Sequence, residues 1–330
     1  MRVLVVRQDN LGDVLLAGPA VRAVAARADE VVMLCGPRGR AAADLLPGVD
    51  RVVEWCAPWI DPEPGPVDAA RIERLVAQAG DIDRALIFTS FHQSPLPLAL
   101  LLRLAGVPWI GGISDDYPGS LLDLRHRCEA DIPEPERMLA LAADAGFPAP
   151  DDKRLRIRGP LPDVTGLTGG PGYVVVHPGT SVPARAWPPE RCAEAVELLA
   201  GAGHRVVVTG HGDEKELTAS VAGAAGLDLG GRTSLTELAA VLADARAVIA
   251  GNTGPAHLAA AVGTPVVSLF APTVPAARWA PYGVPTVLLG DQHAPCRGTR
   301  ATVCAVPGHP CLTSVEARRA VAAVEEVAPR

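Results

Sequence analysis

Gly12-Asp13 follows the apolar run RVLVVR across a short turn, QDNLGD, at the start of an amphipathic stretch. In an open α/β sheet this position is the mouth of the first strand, where ligands bind. A carboxylate there can take a proton from an incoming hydroxyl, or it is simply an acid favoured by the positive end of a helix. A helix start also lowers a carboxylate's basicity, so the base role needs burial or bound substrate to offset it.

Two further segments carry anion chemistry. In HPGTSVPARAWPPE (residues 177–190), Gly179, Thr180 and Ser181 can bring backbone and hydroxyl donors to phosphate oxygens, and Arg185 supplies a permanently charged fork. In AGNTGPAHLAAAVGTP, Asn252, Thr253 and Gly254 form a tight turn into a helix with Pro255 near its first turn. Its unpaired N–H groups and dipole suit a diphosphate. Both segments also read as ordinary strand-to-helix turns, and His257 as a packed or capping histidine. Glu214, in TGHGDEKE beyond the run RVVVTG, is placed to bond ribose hydroxyls, or it is a solvated acid of a first helical turn. No G-x-G-x-x-G with its acidic partner, no G-x-x-x-x-G-K-[ST] and no G-x-S-x-G occurs, which disfavours dehydrogenase, ATPase and hydrolase readings.

The elements that carry these residues alternate between strand and helix. RVLVVR leads into a helix over residues 13–27, then EVVMLC, RVVEW, a helix over 68–79, ALIFTS, an apolar helix over 95–105 and PWIGGIS. Residues 159–172, rich in Gly and Pro, read as a linker. The pattern then restarts with YVVVHP, a helix over 189–202, HRVVVTG, helices over 213–224 and 234–244, AVIAG, a helix over 255–262 and PVVSLF. Thr313 with Glu316 fits a capping box opening the final helix. The alternation predicts parallel sheets in an α/β protein of two domains, 1–158 and 173–330.

Composition narrows the partners. The 330 residues carry a formal charge of −7, which disfavours a nucleic-acid binder. Counting through Arg158 gives the first part −5 and the rest −2, so neither suits an anionic membrane. Apolar runs are too short to span a bilayer, and the first residues read as a strand without a signal peptide. A cytoplasmic protein with at most peripheral membrane contact is expected, as a monomer or weak dimer. Seven cysteines there are expected to be free, metal-bound or merely apolar rather than disulfide-bonded, and Cys296, Cys304 and Cys311 lack the close pairing of structural zinc.

Together RQDNLGDVLLAGPA, HPGTSVPARAWPPE, GHGDEKE, GNTGPAHLAAAVGTPVVSLFAPT, RWAPYG and HPCLTSVEA resemble glycosyltransferase family 9, the heptosyltransferase family, over nearly the whole chain. The resemblance implies a GT-B fold, two facing Rossmann-like domains with an interdomain cleft. It implies an inverting transfer, usually from ADP-heptose, with no cofactor or metal beyond the nucleotide-sugar donor.

Position by position, Asp13 matches the family's catalytic base, and Arg185 stands where a cation neutralises the diphosphate. Thr180 and Ser181 match its phosphate-binding hydroxyls and Glu214 its ribose carboxylate. Gly12, Asn252, Thr253, Gly254 and His257 complete the expected donor contacts. Asn252 departs from the Asp found in many members. His92, Gln93, Asp115 and Asp116 are the expected acceptor contacts, in a domain 1–158 that binds acceptor while 173–330 binds donor. The last helix is expected to pack back on the N-terminal domain. The acidic first half, including Asp61 and Glu63, fits a soluble amino sugar or aminocyclitol acceptor better than a phosphorylated lipopolysaccharide core. A nucleotide-sugar epimerase and a non-catalytic nucleotide-sugar binder are the rival readings.

Overall fold

The structure, a computed structural model, describes residues 1–128 and 130–329. It divides into two compact units, Met1–Arg158 and Gly159–Arg330. In the first, strands β1 (Arg2–Arg7), β2 (Glu30–Cys35), β3 (Arg51–Glu54), β4 (Arg84–Ile87), β5 (Trp109–Ile113) and β6 (Leu124–His126) form one parallel sheet in the order β3-β2-β1-β4-β5-β6. In the second, β7 (Val174–His177), β8 (Val206–Val208), β9 (Leu227–Asp228), β10 (Ala247–Gly251), β11 (Val266–Leu269) and β12 (Thr286–Leu289) are also all parallel, in the order β12-β11-β10-β7-β8-β9.

Helices cover such sheets on both faces, so the central strands are apolar almost throughout. Val3–Val6, Val31–Cys35, Val174–Val176 and Ala247–Ala250 are accordingly buried. Strand order reverses between β1 and β4 in one unit and between β7 and β10 in the other. In open sheets of this kind ligands bind beyond the carboxyl ends of the strands at such a switch point.

Several expectations are corrected. The first helix is two helices, Leu11–Leu16 and Gly18–Ala25, because Pro19 has no N–H to continue the bonding ladder. Strands β6, β9 and β12 and the helices Arg40–Leu45 and Glu134–Asp144 lack a strong enough period to stand out in the sequence. Residues 159–172 are not structureless. They hold a short helix, Thr165–Thr168, and the Arg205 guanidinium donates to the carbonyls of Thr168, Gly170 and Pro171.

Thr313 belongs to a separate turn of helix, Pro310–Thr313, and its hydroxyl donates to the Gly308 and His309 carbonyls. The final helix, Ala317–Val327, therefore begins after Glu316 without a capping box. Its buried face of Ala320, Ala323, Val324 and Val327 joins the core of the second unit, against helix Pro189–Gly201 and strands β10, β11 and β12. That apolar stripe is satisfied there.

Candidate functional site

In the first unit the chain leaves β1 at Arg7, whose side chain is fully buried at the switch point. An isolated buried charge is prohibitive, so the sequence must surround it. Its Nη2 donates to Asp13 Oδ1 at 3.0 Å and to Ser90 Oγ, beyond β4, at 2.9 Å. Its Nη1 reaches Glu134 Oε2 at 3.3 Å, and its Nε lies 2.9 Å from Asp9 Oδ2. Glu134, itself fully buried at the start of helix Glu134–Asp144, also lies 3.5 Å from Arg137 Nη1, which donates to the Thr89 carbonyl at 2.5 Å. Gln93 completes the ring, donating from Nε2 to Asp9 Oδ1 and accepting from the Ser90 N–H at 3.0 Å.

Burial acts to lower the affinity of Arg7 for its proton, but Asp9, Asp13 and Glu134 outweigh it and raise that affinity. Burial pushes the Asp9 carboxyl up to about 6 against the pull of Arg7. Asp13 is the most open of the three carboxylates, with 17% of its side chain exposed against 9% for Asp9 and none for Glu134. Gly12 is buried beside it in the same turn.

Of the expected acceptor residues, Gln93 is bonded into this cluster. His92 is exposed, edge-on to Phe91 at 5.3 Å. Asp115 and Asp116 are exposed beyond β5, two strands from β1, where Arg125 donates to the Asp115 carbonyl and Ser114 Oγ to that of Asp116. The sequence reading missed Arg7, Asp9, Ser90, Glu134 and Arg137. The one local signal for them was a strand of apolar residues ending in arginine.

In the second unit the expected donor residues meet at the other switch point. Ala250 of β10 pairs with His177 of β7, so the turn Asn252-Thr253-Gly254 and the segment 178–188 leave neighbouring strands on the same side. A β-carbon on Gly251 would sit 3.2 Å from the Arg185 carbonyl oxygen, and Arg185 Nη1 reaches the Asn252 carbonyl at 3.5 Å. Thr180 Oγ1 accepts from the Val182 N–H at 3.2 Å, while Ser181 is exposed. Asn252 is buried, and its amide nitrogen finds no acceptor among the described residues. Helix Gly254–Ala261 starts at Thr253 without a side-chain cap, leaving its first N–H groups to other partners, and His257 is buried within it.

Beyond β8, Glu214 closes a capping box with His211, accepting from the His211 N–H at 2.8 Å. His177 is buried against Thr209 Oγ1 at 2.9 Å, and burial pushes it down to about 4, so it is neutral. All seven cysteines are free thiols, and burial beside Cys296 pushes Cys311 up to about 12. No group of three His, Cys, Asp or Glu among the described residues is placed to hold a metal ion. No helix among them is long and apolar enough to cross a membrane.

The sequence pattern of glycosyltransferase family 9 (heptosyltransferase) matches residues 92–308, well over half of the chain. The chain belongs to glycosyltransferase family 9. It is a glycosyltransferase of the heptosyltransferase type with the GT-B fold, each of its two units being Rossmann-like. Its fold is shared with E. coli ADP-heptose lps heptosyltransferase II, at 18% identity over 99% of this chain and 98% of that one, with a TM-score of 0.74. It is shared also with a family 9 glycosyl transferase from Veillonella parvula (17% identity, 99% and 96% covered, TM-score 0.78). The third similar structure is E. coli heptosyltransferase WaaC with ADP-2-deoxy-2-fluoro heptose (23% identity, 99% and 99% covered, TM-score 0.72). No curated protein sequence matches this family 9 chain.

Proposed function

We propose that this enzyme transfers a heptose from ADP-heptose to an acceptor hydroxyl with inversion, in the cytoplasm. The observation that supports the reading is that each unit carries groups suited to one half of this chemistry beyond the carboxyl ends of its strands. The first presents the partly open Asp13 carboxylate, held by buried Arg7. The second gathers Thr180, Ser181, Arg185, Glu214 and the uncapped start of helix Gly254–Ala261.

Asp13 takes the acceptor hydroxyl proton as its oxygen bonds to the anomeric carbon. The bond from that carbon to the diphosphate oxygen breaks, and its electron pair leaves with ADP. Arg185, the hydroxyls and the helix N–H groups meet the charge that develops on the leaving diphosphate, an electrostatic contribution to rate. Glu214 binds ribose hydroxyls. The choice of an ADP-sugar donor finds support in the similar structure of E. coli WaaC with ADP-2-deoxy-2-fluoro heptose. Membership of a transferase family favours transfer over epimerisation or silent binding.

For the acceptor, the −5 charge of residues 1–158 favours a neutral or cationic soluble molecule such as an amino sugar or aminocyclitol. The name of the E. coli relative favours the second reading, a lipopolysaccharide core. The test offers ADP-, GDP- and UDP-sugars in binding assays, then ADP-heptose with an acceptor panel at rising salt. Transfer to a cationic acceptor should slow as the Debye length contracts from about 30 to 3 Å between roughly 0.01 and 1 M salt. Efficient glycosylation of a phosphorylated core with every cationic acceptor ignored establishes the second reading instead.

A further inference from the structure

Asp9 has no role in the transfer just described, yet it is buried against the guanidinium that holds the proposed base. Three carboxylates surround Arg7, through Nε to Asp9, Nη2 to Asp13 and Nη1 to Glu134. Glu134 is shared with Arg137, a second buried cation. Asp9 and Asp13 thus both draw on the single positive charge of Arg7. A carboxylate facing a guanidinium alone is a weak proton acceptor, because the cation stabilises its charged form. A general base works best when its proton affinity suits the operating pH. A second carboxylate on the same cation restores that affinity. Asp9 has the right position, on the far edge of the guanidinium, and its other oxygen is held by Gln93. With little of its side chain exposed, it is poorly placed to touch substrate itself.

We infer that Asp9 is a positioning residue for the reaction, whose ionised carboxylate engages the Nε edge of Arg7 and thereby keeps Asp13 basic enough to accept the acceptor's proton. This rests on the reading of Asp13 as the base. The groups facing Asp9 are Arg7, Asp13, Glu134 and Gln93. When Asp9 takes up a proton, more of the Arg7 charge acts on Asp13 and the base weakens. Burial places that change near neutral pH, so transfer should fall as pH drops through about 6.

Coupling between two titrating sites is reciprocal, so what Asp9 does to Asp13 can be read on Asp9 itself. In full-length protein labelled at the Asp carboxyl carbons, Asp13→Asn should move the Asp9 titration to lower pH, by roughly one unit for charges a few ångströms apart. Gln93→Leu, which removes a donor to the ionised form, should move it to higher pH. The second readout is ADP release from ADP-heptose across pH 5–9. Asp9→Asn should slow release at pH 8 by roughly ten-fold, within the range of general-base effects, and abolish the limb near pH 6. Asp9→Glu should retain that limb, and ADP binding should be unchanged in both.

An Asp9 signal indifferent to Asp13→Asn overturns the inference, as does a wild-type rate profile in Asp9→Asn. If Asp9→Asn does not fold, the Gln93→Leu and Asp13→Asn titrations decide alone. Full turnover by Asp13→Asn would instead overturn the base reading, whatever Asp9 does.

Discussion

A β-carbon on Gly179 would lie 2.1 Å from Oε1 of Glu214, so the carboxylate beyond β8 rests directly on the turn beyond β7. Gly179 is required by this close approach. The obstructing atoms are the far end of a flexible side chain, so Gly179→Ala should swing Glu214 aside at small cost in stability. ADP affinity should nonetheless fall about ten-fold or more, since a lost hydrogen bond to a charged group is worth roughly 1.5–3 kcal/mol. Calorimetric ADP titration alongside thermal unfolding checks this. Intact ADP affinity would remove Glu214 from the ribose role and leave it as the partner of His211.

Asp13→Asn keeps shape and removes the proton acceptor. Transfer should drop by about 10²–10⁴-fold while ADP binding stays as it was. Single-turnover rates with ADP-heptose measure the loss, and near-normal turnover contradicts the assignment.

Arg185→Ala should weaken both ADP binding and turnover, because it deletes charge-assisted bonds to the diphosphate worth roughly 1.5–3 kcal/mol each. An unchanged ADP dissociation constant would count against the clamp.

Glu134→Ala should be strongly destabilising, by about 3–5 kcal/mol, because it strips a carboxylate from two buried guanidinium groups, Arg7 and Arg137. Glu134→Gln retains an oxygen for one of them and should cost less. Urea unfolding of both variants checks the order.

His177 is neutral in the fold, with its affinity for protons pushed down to about 4 by burial, while an unfolded chain protonates it near its ordinary 6.5. The unfolded state thus binds more protons as pH falls, and this residue's contribution to stability is lost below about pH 6.5. The loss should reach about 2 kcal/mol between pH 7 and pH 5. His177→Gln should show a correspondingly flatter stability profile over that range, measured as the difference from wild type at each pH.

Much of this molecule is written in short-range signals. Alternating apolar strands and helical periods announce the two wound sheets, since strands buried on both faces must be apolar wherever they lie. Asp13 beyond β1 and the two turns beyond β7 and β10 were legible because a strand, its turn and the following helix are contiguous in the chain. The order of those motifs was enough to name the family.

Where a local signal had two outlets, packing chose between them. Pro19 divided a stretch that reads as one helix. Thr313 satisfied its hydroxyl on carbonyls behind it, which left Glu316 to start the last helix alone. The surroundings of Arg7 were beyond any such reading. Glu134 lies 127 residues away and Ser90 lies 83, and neither has a local pattern that distinguishes it from a surface residue. Only the assembled sheet and the helix Glu134–Asp144 bring them together. Burial then raises the energy of each unpaired charge enough to make their pairing obligatory.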